Sequence, residues 1–526
     1  MGSGNLQIAA IGERDLYLTS NPQVTYFKQI YRRFTNFSLE VVKQTFISKL
    51  DFGKKASVVI ARNADLIKNI TLVIDLPEIP TFRDDNGEND LIAKFRWVQK
   101  IGYQIIDFVE IEIGNEIIDK HFGDWLNIYD QLTNPKSKQI DDILGNIKEM
   151  TDLSNGKKNY RLYIPLQFWF NRSPGLSLPI CCLQYNTIKV NVSLNDLQKC
   201  YVVSPTHYIE IDNDFVNFSP YEILKQNING VISYAEYIYF DITLRRLYIS
   251  RINNVSFSSV QVSNLSDIPT ESAQDDILYQ KDSSNNFVNQ SFFIIGEESS
   301  FRAMPKINSN ERVYANNSIN FNTIRIDDAF LLVEYIYLSS DERKLFQKKT
   351  HEYLIEQVVY NGEQIIDGNN QTFNIGFTKS CKELIWVTQL SEAKRLRNNQ
   401  YFNYTNSLIK ETGNNIIENE TILYNGRERI SERESRYYDT LQHYQYHKGF
   451  NDSFINSFSF SLFPEDKQPS GSSNLSKIEN IALLLNVNPE ISSSNTAILR
   501  VYAIINNIFK IEAGISGLVF ASDTQL

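Results

Sequence analysis

Ile188-Lys189-Val190-Asn191-Val192-Ser193-Leu194 alternates apolar and polar side chains along its whole length. A strand turns successive side chains to opposite faces, so this run describes a sheet with one buried face. Val109, Ile111 and Ile113 alternate with Glu110 and Glu112 in the same way. Working outward from these two runs, further candidate strands fall at 57–61, 70–76, 162–170, 234–244, 323–338, 383–389, 457–463, 481–487 and 498–505. Clusters of Pro, Asn, Gly and Ser separate them, as in sandwiches and barrels. The 32 Phe and 29 Tyr against 3 Met point the same way, because aromatic side chains suit pleated, half-buried surfaces.

Helical signals are few. Asn21-Pro22 reads as an N-cap and first-turn proline, with Val24, Phe27, Tyr31 and Phe34 at helical spacing behind it. Trp125, Tyr129 and Leu132 suggest a second helix, and Ile140, Ile143, Leu144 and Ile147 a third. Ser339 and Glu342 form a capping box ahead of Leu345 and Phe346. No βαβ rhythm appears, which argues against a doubly wound enzyme. Long polar stretches at 81–90, 199–229, 251–322 and 394–420 read as functional loops or surface elaborations. A domain boundary is expected after Phe346. Glu236-Tyr237-Ile238-Tyr239 and Glu334-Tyr335-Ile336-Tyr337 echo each other, too briefly to define a repeat.

The chain has 526 residues, enough for roughly two to four domains. With 42% hydrophobic and 22% charged residues the composition is globular. A net charge of −10 argues against extensive nucleic-acid binding, which needs excess Lys and Arg to displace counterions. One local basic group, Lys28, Arg32 and Arg33, stands near the N-terminus. Cys181, Cys182, Cys200 and Cys381 contain no CxxC pair and are too few for a disulfide framework, so free thiols in a reducing compartment are expected. Neither a secretory signal nor a run of 18 apolar residues is apparent. Leu6 stands where a myristoylation motif wants Ser or Thr. A soluble protein made in the cytoplasm is the expectation.

Catalytic motifs are wanting. Gly53-Lys54-Lys55 and Gly156-Lys157-Lys158 lack the upstream glycine and the Ser/Thr of a phosphate loop and read as basic turns. His443-x-x-x-His447 would share a helix face, but Tyr444 follows where a zinc protease needs Glu, so two polar residues between strands are expected. Glu110, Glu112, Glu116 and Asp119 could supply an acid/base pair for glycoside cleavage, yet Glu110 and Glu112 read as the solvated face of a strand. No catalytic residue, cofactor or metal is expected. Several Asn-x-Ser/Thr sequons occur; Asn217, Asn254, Asn264, Asn316 and Asn403, in or near the long loops, are the candidate glycosylation positions.

Collinear blocks across nearly the whole chain carry a resemblance. Leu6-Gln7, Gly12-Glu13-Arg14-Asp15-Leu16-Tyr17-Leu18-Thr19-Ser20-Asn21-Pro22-Gln23-Val24-Thr25-Tyr26-Phe27-Lys28 and Tyr31-Arg32-Arg33-Phe34-Thr35-Asn36-Phe37 open the series. Phe52-Gly53-Lys54-Lys55, Ile60-Ala61-Arg62-Asn63-Ala64-Asp65-Leu66-Ile67 and Ile164-Pro165-Leu166-Gln167-Phe168-Trp169-Phe170 with Pro174-Gly175-Leu176 follow. Then come Tyr335-Ile336-Tyr337-Leu338 with Asp341-Glu342-Arg343, and His351-Glu352-Tyr353-Leu354-Ile355-Glu356-Gln357. Asn425-Gly426-Arg427-Glu428-Arg429, Pro464-Glu465 and Gln468-Pro469-Ser470-Gly471 complete it. The set resembles the double jelly-roll major capsid proteins of nucleocytoplasmic large DNA viruses. Phe34 departs from the family's usual His, and Ser339-Ser340-Asp341 from its Asp-Thr-Asp; residues 199–322 match poorly.

The resemblance implies an all-β chain of two consecutive eight-stranded jelly rolls with short inserted helices and long loops. Residues 1–37 would form an arm with a short helix, 38–346 a first roll with insertions at about 199–322, and 347–526 a second. It implies a homotrimer tiling the icosahedral shell beside neighbouring capsomers, with Lys28, Arg32 and Arg33 at the inner face, toward minor capsid proteins or an internal membrane. Loops at 251–322 and 394–420 would face outward. A minor capsid or scaffold relative, or a carbohydrate-binding or carbohydrate-cleaving sandwich, are the alternatives.

Overall fold

The computed structural model describes residues 2–135, 140–228, 230–259, 278–281, 287–290, 292–396, 398–449 and 453–520. Two short helices, α1 (Ser3–Ala9) and α2 (Glu13–Thr19), precede the first strands. These are β1 (Phe37–Thr45), β2 (Lys55–Val59), β3 (Leu66–Leu76), β4 (Ile106–Ile113), β5 (Glu116–Phe122), β6 (Tyr160–Pro165), β7 (Ile188–Leu194) and β8 (Asp328–Leu338). They form two four-stranded antiparallel sheets, in the orders β1-β8-β3-β6 and β2-β7-β4-β5. The two alternating runs of the sequence are neighbours: Val109 lies opposite Val192, Ile111 opposite Val190 and Ile113 opposite Ile188. Their apolar sides, with Val58, meet Ile70, Leu72, Ile74, Leu331 and Val333 of the facing sheet. Each such side chain contributes roughly 1.5–3 kcal/mol on burial.

After α3 (Gly123–Thr133) and α4 (Ser340–Lys348) come β9 (His351–Ile366), β10 (Gln371–Asn374), β11 (Ser380–Leu390), β12 (Ile417–Tyr424), β13 (Arg427–Glu434), α5 (Gln442–Tyr446), β14 (Asn456–Ser459), β15 (Ile481–Val487) and β16 (Ala497–Glu512). Their sheets run β9-β16-β11-β14 and β10-β15-β12-β13, with short strands Ser473–Asn474 and Ile515–Leu518 at the margins of the first. The strand order of the first sandwich is thus repeated in the second, and the chain is a double jelly roll. Leu384, Trp386, Leu499 and Val501 face Ile422, Leu483 and Leu485 in the second core.

Among its described residues the region 199–322 holds more than loops, and the strand expected at 234–244 is present as Val231–Asp241. A seven-stranded antiparallel sheet occupies 207–313, with its own core of Ile209, Leu224, Ala235, Leu247, Ile249, Phe257 and Ile294. Its polar residues pin backbone together, which made it read as loop. Gln226 donates to the carbonyls of Ser258 and Phe292 and accepts from Ser258 N–H. The buried Glu222 carboxylate takes the N–H groups of Ser219, Glu298 and Ser299. The echo between 236–239 and 334–337 falls on this sheet and on β8, which are not equivalent.

The helix expected behind Asn21 is absent: Asn21 has φ 52° and residues 22–36 are not helical. Among the described residues nothing covers the apolar side of that segment, and a short isolated helix is marginal in water. Residues 140–147 are turns rather than a helix; Gly145 sits at φ 72°, while Ile140, Ile143 and Ile147 still pack on the core. The Trp125 helix forms as α3. The Ser339 hydroxyl makes no cap, although α4 begins at the next residue. The 162–170 run ends as strand at Pro165 and turns into a 3-10 segment, Trp169–Arg172.

Phe37 lies opposite Leu338 and Thr45 opposite Phe330, so the arm and α4 leave one end of the β1–β8 pair. The inserted sheet rejoins at Asp328, the other end, about 33 Å away at 3.3 Å per residue. There it meets residues 398–411 across a cleft of about 400 Å³ lined by Tyr221, Ile223 and Glu236 on one side and Tyr401, Phe402 and Leu408 on the other.

Candidate assembly surfaces

Three features bear on assembly: the seam between the rolls, the exposed arm, and the outer edges of the sheets. The seam begins at Gly123, where β5 turns into α3. Trp125, Ile128 and Leu132 of α3 cross into the second roll and pack on Val358, Ile385, Val387, Tyr404, Tyr502 and Ile504. In return Ile355, Phe509 and Ile511 of the second roll enter the core of the first.

Polar groups tie this apolar contact down. Asp124 accepts from Tyr404 Oη (2.5 Å) and Tyr502 Oη (2.8 Å) and pairs with Arg500 Nη1 (3.1 Å). Arg500 Nη2 donates to Gln389 Oε1 at 2.7 Å. Burial opposes the guanidinium's charge, but Asp124 and the surrounding tyrosines outweigh it and hold Arg500 protonated. Burial, helped by Asp124, pushes both tyrosine hydroxyls well above their ordinary value.

Farther along, Glu356 bridges Arg172 and Lys382, and Arg172 stacks 4.7 Å over the Tyr129 ring. His447 Nε2 lies 2.6 Å from Glu383 and Nδ1 3.5 Å from Glu465. These groups line a cavity of about 150 Å³ between the rolls. His443 and His447 do lie between two strands, β13 and β14, with His443 on the short helix α5 and His447 at its C-terminal end. Both side chains are turned inward with rings 5.3 Å apart, and His443 Nε2 donates to Gly449 O. Burial depresses His443; it also opposes charge on His447, but the two glutamates prevail and raise it to about 9.

The other candidates for chemistry are also engaged in internal contacts. Glu110 is not solvated as expected: it is 4% exposed and takes Lys55 Nζ at 2.6 Å and Asn191 Nδ2 at 3.0 Å. Glu112 pairs with Lys189 at 2.9 Å, which lowers its pKa. Glu116 accepts from Leu518 N–H, so it braces the C-terminal strand. Asp119 is buried against His121 and receives Val358 N–H from the second roll. Lys157 is buried and donates to the carbonyls of Glu149 and Asp152. Among the described residues no group of His, Cys, Asp and Glu is arranged to hold a metal. The four cysteines are free.

Every residue from 2 to 41 is exposed. Lys28, Arg32 and Arg33 stand in this arm among Phe27, Tyr31 and Phe34, which are likewise bare. On β1, Phe37, Leu39 and Val41 point outward in one row. Of the five candidate sequon positions, Asn217 and Asn254 are exposed. Asn316 spends its amide on Asp90 and Arg83 O, and the buried Asn403 donates to Gln400 and Ser407. Asn264 lies outside the described residues. Sequence reading missed Asp124, Arg500, Tyr404 and Tyr502; they are far apart in the chain, and only an isolated Arg within the apolar run 498–505 hinted at them.

The match to known proteins is extensive. The family model for the major capsid protein N-terminus matches residues 25–241, and that for the large eukaryotic DNA virus major capsid protein matches 342–517. Probable capsid protein 4 of Acanthamoeba polyphaga mimivirus is 35% identical over 99% of this chain and 100% of its own. The major capsid protein of Phaeocystis pouchetii virus is 27% identical over the same shares. Among solved structures, the Faustovirus major capsid protein superposes with a TM-score of 0.62 at 10% identity, covering 95% of this chain and 94% of that one. A chain of the PBCV-1 virus capsid gives 0.57 at 22%, covering 95% and 100%. The chain belongs to the large eukaryotic DNA virus major capsid protein family.

Proposed function

We propose that this protein is the main structural subunit of an icosahedral shell, that three copies close into a capsomer of roughly hexagonal outline, and that it has no catalytic role. The observation carrying this is the repeated strand order within one chain, locked by the seam. Three such chains offer six rolls in a closed ring of heterologous contacts. We divide the chain into an arm (1–37), a first roll (38–346) and a second roll (347–526), with the sheet at 207–313 as a separate outgrowth of the first.

The arm and the inserted sheet leave opposite ends of the first roll, which suits an inward arm and an outward insertion. The bare aromatic residues beside Lys28, Arg32 and Arg33 suit an amphipathic partner, a minor capsid protein or the internal membrane of the particle. The net negative charge speaks against direct DNA contact. Synthesis in the host cytoplasm fits the free cysteines. Of the five candidate sequons, Asn217 and Asn254 are open to a glycan, while Asn316 and Asn403 would have to give up internal hydrogen bonds.

Size-exclusion chromatography with light scattering tests the proposal. Three times 60.9 kDa, about 183 kDa, is expected; a chain that stays at 60.9 kDa under all conditions would sink it.

A further inference from the structure

Of the 37 large apolar side chains exposed among the described residues, 15 stand in the first 41 positions. The densest group is Val24, Tyr26, Phe27, Ile30, Tyr31 and Phe34, with Tyr26 95% and Phe27 100% exposed. A bare apolar patch of this density marks a surface that meets a partner. Residues 16–39 also hold Lys28, Arg32 and Arg33 and not one Asp or Glu, in a chain whose net charge is −10. The segment is therefore both apolar and basic, and its partner must suit both properties.

Wound as an α-helix, at about 100° per residue, residues 24–35 divide into two halves. The six apolar side chains fall within one arc of about 160°. Lys28, Arg32 and Arg33 share the opposite arc with Thr25, Gln29 and Thr35. Tyr26 stands at one margin of the apolar arc with Arg33 next to it, and Tyr31 stands near the other, on the side of Lys28. Phenol rings suit a boundary between an apolar phase and water, and Lys and Arg stems reach from such a boundary to the aqueous side. Asn21-Pro22 supplies a cap and a first-turn proline. Without a surface to pack on, residues 22–36 are not helical in the free chain.

We propose that residues 22–36 fold into a helix lying in the plane of an anionic lipid bilayer, the apolar arc among the acyl chains and Lys28, Arg32 and Arg33 on the lipid phosphates. The inference rests on the reading of residues 1–37 as the inward arm of a capsomer, and it commits that arm to lipid. Cations on both margins of an aromatic face are the pattern of an interfacial helix. Such a helix is about 22 Å long, short of the roughly 30 Å of a hydrocarbon core, so it lies on the bilayer and does not cross it. Each cation near an anionic surface strengthens binding about fivefold. One arm holds weakly, and three arms on one capsomer hold together.

Flotation of native capsomers with liposomes reads the contact, after light scattering has established the capsomer's mass. Capsomers should float with phosphatidylcholine vesicles containing about one third phosphatidylserine and stay behind with phosphatidylcholine alone. Hydrogen exchange at residues 24–36 should slow only with the anionic vesicles. Arg32→Gln/Arg33→Gln should weaken flotation at least about 25-fold, fivefold for each cation lost. Gln29→Pro keeps every charge and every apolar side chain but breaks the helix at its middle, and should abolish flotation. Both sites are exposed and irregular in the free chain, so neither variant should change the capsomer's mass. Equal flotation with both kinds of vesicle, or a Gln29→Pro protein that floats like the native one, overturns the proposal. Capsomers that float with neither leave a protein as the arm's partner, a minor capsid component or a second copy, and overturn it while the capsomer stands. A native chain that remains at 60.9 kDa overturns the capsomer reading and, with it, the arm's place in a shell.

Discussion

Replacing Asp124 by Ala tests the seam at its most constrained point. The substitution leaves Arg500, 5% exposed, as a buried cation without its carboxylate, and removes the acceptor of the Tyr404 and Tyr502 hydroxyls. Removing one partner of a buried ion pair costs about 3–5 kcal/mol. The stranded hydroxyls can rotate and recover part of their own loss, so about 4 kcal/mol is expected in total. If the two rolls unfold as one unit, the unfolding entropy is about 2.1 cal/mol/K per residue over 526 residues, and the midpoint falls by about 4 °C. Differential scanning calorimetry reads this directly. A further consequence follows from the location: the weakened seam should split the endotherm, because each sandwich keeps its own core. Asp124→Asn/Arg500→Leu removes both charges and should recover most of the loss. An Asp124→Ala protein melting within 1 °C of the native one, or a double variant no better than the single, would refute the argument.

His447 ties stability to pH. Its value rises from 6.5 to about 9 because Glu383 and Glu465 face it, with His443 neutral and Lys448 beside Glu465. The stabilisation is therefore full below pH 6.5 and lost as pH climbs through 9, about 3 kcal/mol at 1.36 kcal/mol per pH unit. Melting midpoints of the native protein should fall across that window more steeply than those of His447→Gln, and parallel curves would dismiss the idea. Glu420 is buried, which holds its carboxyl protonated well above the usual range, with Trp386 Nε1 donating to it at 2.5 Å. A raised carboxyl destabilises the fold as pH rises above its unfolded value, so Glu420→Gln should match or exceed native stability at pH 7 and lose that advantage near pH 4 in denaturant titrations. A Cβ on Gly123 would fall 2.2 Å from Tyr103 O and 2.4 Å from Ile106 O. Gly123→Ala must push α3 outward, costing roughly 1–3 kcal/mol, and limited proteolysis should find the seam opened.

The sandwich strands were legible because each buries one face. Ile188–Leu194 and Val109–Ile113 could be read from alternation alone, and they are adjacent in the sheet. The inserted sheet, apart from the strand expected at 234–244, was illegible for the converse reason: Gln226 and Glu222 are buried polar residues satisfied by backbone, and nothing in a sequence separates them from loop residues. The arm misled because Val24, Phe27, Tyr31 and Phe34 do have helical spacing, while a helix also needs a surface to pack on. β13 carries charge at six of eight positions and has no apolar side to announce it as a strand. The seam joins Asp124 to Tyr404 across 280 positions and to Tyr502 across 378, and pairing of that kind has no local signature.

The seam's polarity decides more than its strength. An apolar contact between two sandwiches tolerates sliding, since one aliphatic surface packs on another in several registers. Arg500 does not. A slip of one residue along β16 turns its side chain to the opposite face of the sheet and strands Asp124, Gln389 and both tyrosines at once. The rolls thus have one docking geometry, and it is set within the subunit before any copy is met. A ring of three chains can close only if the angle between the rolls is the same in each, because an error in that angle is multiplied around the ring. On this argument the covalent doubling of the jelly roll and the buried charges between its halves serve one purpose: they make the angle a property of folding, so that the contacts between copies can stay weak enough to reverse.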